Sequence, residues 1–109
     1  MVKIGLFCAA GFSTGMLVNN IELAAEEQGL SITIEAHGQP KLKDLVTHYD
    51  VVLLGPQIAY TFSQSEAICK EHHVPIAVIP MSDYGMLDGH KVLNLAMKLY
   101  QDSQVAEGA

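Results

Sequence analysis

Arginine and tryptophan are absent from these 109 residues, cysteine occurs twice and proline four times. Each shortage narrows the chemistry. Without arginine the chain has no guanidinium fork with which to clamp a phosphate or carboxylate bidentately. Its strong cations are six lysines set against twelve acidic residues, and the resulting net charge of -6 opposes nonspecific attraction to nucleic acid or anionic lipid. Cys8 and Cys69 lie far apart and form neither a CxxC redox pair nor a zinc-type cluster, so neither a disulfide framework nor a bound metal is expected. No apolar run approaches the roughly 20 residues that cross a bilayer, which predicts a soluble chain without direct membrane insertion. The first seven residues read as a strand, without the long apolar core and cleavage site of a secretory leader, and this points to the cytoplasm.

Half of the residues are apolar, enough for one hydrophobic core in a chain of this length. Short β-branched runs over residues 2–7 and 51–54, and again over 76–79 after Pro75, predict strands, the last two with the character of buried parallel strands. Ile32, Ile34 and Ala36 alternate with Thr33 and Glu35 as in a half-buried edge strand. Leu17, Ile21, Ala24 and Ala25 share one face of a helix that Gly29 stops. A weaker helical pattern spans residues 40–48, and a third begins near Gln57 and carries Ile58, Phe62 and Cys69. The last helix starts at an Asp88 N-cap and runs through Val92, Leu93, Ala96, Leu99 and Tyr100. One domain over residues 1–104 is expected, with 105–109 as a flexible, frayed tail.

Alternating strands and helices predict an α/β fold of three layers, with a four-stranded parallel sheet in the order 2-1-3-4. In such sheets ligands bind beyond the carboxyl ends of the strands, near the point where strand order reverses. The loops after Phe7, Leu54 and Ile79 are therefore the candidate site. The first of them is Cys8, Ala9, Ala10, Gly11, Phe12, Ser13, Thr14, Gly15 and Met16. Small residues and glycines there let successive N–H groups and a helix start converge on one anion. The same positive helix end favours the thiolate of an adjacent cysteine, a strong nucleophile. Cys69, on the apolar face of the third helix, reads as core.

In a tyrosine-phosphatase loop an arginine stands six residues after the cysteine; here that position is Thr14, and no arginine elsewhere could substitute. Backbone donors without that clamp suit a carrier that holds a thiophosphate for transfer better than a hydrolase. Two alternatives stay open on the residues alone. One is a low-molecular-weight phosphatase-like hydrolase, the other a flavodoxin-like module that holds a phosphate or nucleotide.

Residues 4–14, opening with Ile4-Gly5-Leu6-Phe7-Cys8, resemble the strand, nucleophile and phosphate loop of the lactose/cellobiose-type enzyme IIB family of the bacterial phosphotransferase system. Residues 51–60, with Gly55-Pro56-Gln57, are similar to that family's third strand and turn, and residues 83–89, with Asp83-Tyr84-Gly85, to the segment before its final helix. The resemblance implies that Cys8 accepts a phosphoryl group from a phosphohistidine on enzyme IIA. It further implies transfer to a sugar held by the membrane component IIC, a β-glucoside such as cellobiose, or lactose or chitobiose. It makes residues 9–16 the phosphate loop, with transient membrane association through IIC and no cofactor. The Ser13 and Thr14 hydroxyls either cap the helix or contact phosphate. Pro80 departs from the family, which often places an acidic residue there, and Asp83 is the candidate stand-in. Gln57, Asp83 and Tyr84 are secondary candidates around the loop. Tyr60 and Tyr84 are expected to pack, with their hydroxyls in water. The five histidines read as surface residues.

Overall fold

A computed structural model describes residues 1–9 and 15–108 of the chain. The β-branched runs form four parallel strands, β1 (Val2–Cys8), β2 (Ile32–Gly38), β3 (Val51–Leu54) and β4 (Ile76–Val78), in the spatial order β2-β1-β3-β4. This is the order expected from the sequence. Strand alternation sends side chains to two faces, and both faces are covered. On one, Ile4, Leu6, Val51 and Leu53 pack against Leu17, Ile21, Ala24 and Ala25 of α1 (Gly15–Glu27) and Val92, Leu93 and Ala96 of a long carboxy-terminal helix, Gly89–Gly108. On the other, Phe7, Val52 and Leu54 meet Leu42 of α2 (Leu42–Leu45), Val46, Tyr49, Ile58 and Cys69 of α3 (Phe62–Glu71). Cys69 is core, as its position on an apolar helix face implied.

Several elements differ from expectation for identifiable reasons. The helix predicted over residues 40–48 is broken: 3-10 turns Gln39–Lys41 and Val46–His48 flank the single turn of α2. Pro40 opens this stretch, and four residues are too few to propagate a stable α-helix. Residues Pro56–Thr61 are likewise 3-10 before α3 begins. β4 is the second edge strand and is only partly buried, not the enclosed strand its composition suggests. A short helix, α4 (Met81–Gly85), follows it, in a stretch that Pro80 and Gly85 disguise as a loop. The last helix, α5 (Gly89–Gly108), continues past Val105, where fraying was expected, because no strong breaker intervenes before Gly108. Its start is as read: Asp88 Oδ1 accepts the Lys91 backbone N–H at 3.0 Å, the N-cap geometry.

The α1–α5 packing is close. A Cβ at Gly89 would strike the Asn20 carbonyl of α1, so glycine is needed there. Asn20 Nδ2 also donates to the Leu87 carbonyl at 2.9 Å, tying the α4–α5 turn to the flank of α1. Among the described residues, no helix is long and apolar enough to cross a membrane.

Candidate functional site at the carboxyl edge of the sheet

Hydrogen bonding past the ends of the strands brings three loops to one level. The Gly55 N–H donates to the Phe7 carbonyl at 2.8 Å, and the Ile79 N–H donates to the Leu54 carbonyl at 2.9 Å. These two bonds set the segments after β1, β3 and β4 side by side. Cys8, the last residue of β1, is 2 % exposed and points to the same face as Ile4 and Leu6, toward α1.

Gly55 is where the loops converge. It is buried, and the position a Cβ would occupy there lies 3.4 Å from Cys8 Cβ, 3.1 Å from Gln57 Oε1 and 3.7 Å from Tyr84 Cε2. Two of the three secondary candidates, Gln57 and Tyr84, thus stand with Cys8 around one point. For the third, the Asp83 carboxylate lies 4.0 Å from Lys91 Nζ of α5. Pro80 opens α4, where its carbonyl accepts the Tyr84 N–H at 3.0 Å. Ala9, Gly15 and Met16 bracket the loop, whereas Ala10, Gly11, Phe12, Ser13 and Thr14 lie outside the described residues.

Each tyrosine meets only half of its expectation. Tyr60 is 85 % exposed and does not pack inward. Tyr84 packs its ring against the α1–α5 core, but its hydroxyl is buried and, among the described residues, finds no hydrogen-bond partner. An apolar rim is also exposed. Met16, Tyr60, Met81 and Met86 are all solvent-facing, and they flank the ends of β1, β3 and β4.

Comparison with known proteins decides the family. The family model described as PTS system, Lactose/Cellobiose specific IIB subunit matches residues 3–95. The chain belongs to this IIB family. It is 36 % identical over 99 residues to the oligo-beta-mannoside-specific EIIB component of Bacillus subtilis, covering 91 % of this chain and 96 % of that one. The solution structure of a cellobiose-specific phosphotransferase IIB component from Borrelia burgdorferi is 40 % identical and superposes with a TM-score of 0.79 over 94 % of each chain. A lactose-specific EIICB component of Streptococcus mutans is 26 % identical over 99 residues, 89 % of this chain but 17 % of that longer protein. The IIB fold accounts for the parallel sheet, its strand order and the helices on its two faces.

Two of the five histidines take structural parts. His90 of α5 bonds Glu27 through Nε2 at 2.8 Å and Gln28 through Nδ1 at 3.2 Å, joining α5 to the end of α1. His37 stacks obliquely on Phe7, with ring centroids 5.8 Å apart.

Proposed function

We propose that the chain is the phosphoryl carrier of a sugar phosphotransferase system, with Cys8 as the residue that becomes phosphorylated. The observation that carries this reading is the position of Cys8 in a IIB-family chain. It ends a central strand one loop before the amino terminus of α1, beside Gly55, Gln57 and Tyr84. In the first step the Cys8 sulfur attacks the phosphorus of a phosphohistidine on enzyme IIA. An S–P bond forms, the N–P bond breaks with its electron pair returning to the imidazole nitrogen, and that nitrogen takes up the proton the thiol gave up. In the second step a hydroxyl oxygen of a sugar held by IIC attacks phosphorus. The S–P pair returns to sulfur, which recovers a proton as the sugar hydroxyl loses its own. Backbone N–H groups of residues 9–16, with the helix start behind them, stabilise the charge on the equatorial oxygens in both directions.

The absence of arginine favours a carrier over a phosphatase, since no guanidinium holds the ester for attack by water. The exposed rim of Met16, Tyr60, Met81 and Met86 suits short-lived docking of IIA and IIC, since apolar side chains at a small interface bind without long residence. Fusion of such a domain into the longer EIICB relative supports IIC as the second partner, and with it a cytoplasmic domain that reaches the membrane through that partner. Sugar choice belongs to IIC, because similar IIB domains carry mannoside, cellobiose and lactose in their names.

The test is sugar phosphorylation in a reconstituted system of enzyme I, the histidine-containing phosphocarrier protein, IIA, this chain and membranes containing IIC, across cellobiose, lactose and chitobiose. The Cys8→Ala chain is expected to support none above background. Turnover equal to that of the unaltered chain would refute the reading.

A further inference from the structure

The Tyr84 hydroxyl is an anomaly in a well-packed chain. Buried hydroxyls nearly always have a hydrogen-bond partner, because leaving one unsatisfied costs its full desolvation. Two side-chain oxygens among the described residues break that rule, Ser65 Oγ inside α3 and Tyr84 Oη. Only the second belongs to the site, since the edge of its ring faces Cys8 across Gly55.

The ring is held firmly. It packs on the core shared by α1 and α5. The Tyr84 N–H and carbonyl are engaged by Pro80 and Leu87 at 3.0 and 3.1 Å, and Leu87 is in turn bound by Asn20 of α1. Such a hydroxyl is oriented before any ligand arrives, and an anionic oxygen entering beside it would gain a charge-assisted hydrogen bond with little ordering cost.

We propose that Tyr84 Oη–H donates a hydrogen bond to an oxygen of the phosphoryl group carried on Cys8 Sγ. This inference rests on the assignment of Cys8 as the phosphorylated residue. Tyr84 would then bind the transferring group directly, adding one side-chain donor to the loop amides and supplying from α4 part of what arginine would otherwise provide. The hydroxyl is unsatisfied in the resting protein and satisfied in the phosphorylated one, so it favours acceptance of the group. No bond to Tyr84 forms or breaks, and its proton stays on oxygen throughout.

The experiment compares the unaltered chain with Tyr84→Phe, each incubated with phosphorylated IIA. Phosphorylation is followed by rapid quench, the product by its ³¹P chemical shift, and thermal unfolding of the unphosphorylated chains is recorded in parallel. Tyr84→Phe is expected to melt at the same or a higher temperature, since it deletes an unsatisfied group. It should accept phosphate at least about tenfold more slowly, as loss of one hydrogen bond to a charged group implies, and its phosphocysteine ³¹P resonance should move. Equal rates together with an unmoved resonance would overturn the inference while leaving Cys8 as the acceptor. A lowered melting temperature would also overturn it, by showing that the hydroxyl is already partnered at rest. Failure of the unaltered chain to label at Cys8 would remove the assignment on which the inference depends, and the inference with it.

Discussion

Cys69 and Tyr49 illustrate how burial acts on single residues that have no part in the chemistry. Burial pushes the Cys69 thiol from its ordinary 9.0 up to about 11, since the thiolate would sit in an apolar core. Tyr49 is also held well above its ordinary range, by burial first and then by the Glu35 carboxylate that accepts its hydroxyl proton at 2.8 Å. Both folded-state values are raised, so above pH 9 the unfolded chain releases protons that the folded chain retains. Stability is therefore complete below pH 9 and falls as pH rises through about 11, with Tyr49 extending the loss to higher pH. Urea denaturation at a series of pH values should show this decline, and Cys69→Ala should flatten it between pH 9 and 11. Unaltered slope in that variant would mean that Cys69 is not the group responsible. The placement of Cys8 at the end of a strand was legible at this scale because its neighbours in sequence announced a loop. Tyr84 was a candidate through the family resemblance, but its approach to Gly55 was not legible, since it depends on which segments meet across the sheet.

Among elements, the α1–α5 pair determines whether α4 is held in place. Gly89 lies against the α1 backbone at Asn20 and Ile21, and neither atom can swing aside as a side chain would. Gly89→Ala is expected to destabilise the chain by about 3 kcal/mol, the upper end of overpacking costs. Gly85→Ala, at a position with open space around it, should be neutral or stabilise by up to about 1 kcal/mol. Equal urea midpoints for the two variants would contradict the packing described. The strands and α1 were readable because their apolar residues repeat at periods of two and 3.6. α4 was hidden because five residues between Pro80 and Met86 show no period, and its stability comes from contacts with α5 and from the Asn20 tie to Leu87 rather than from propensity. The carboxyl-terminal extension of α5 was missed because a terminal position alone suggests fraying, where the helix continues to Gly108.

At the scale of the whole molecule, one parallel sheet collects at a single edge Cys8, Gln57, Tyr84 and the exposed apolar rim. Strand order was legible from the alternation of elements, and the structure has it as expected. The absence of arginine, read from composition alone, favours the proposed carrier over a hydrolase. The sugar was not legible at any level, because similar IIB components are named for several different sugars. The most direct measurement is peptide mapping by mass spectrometry of the chain after incubation with phosphorylated IIA, under conditions that preserve labile phosphate. One phosphoryl group on the peptide containing Cys8 is the expected result. A phosphoryl group on a histidine peptide instead, or none on any peptide, would contradict it.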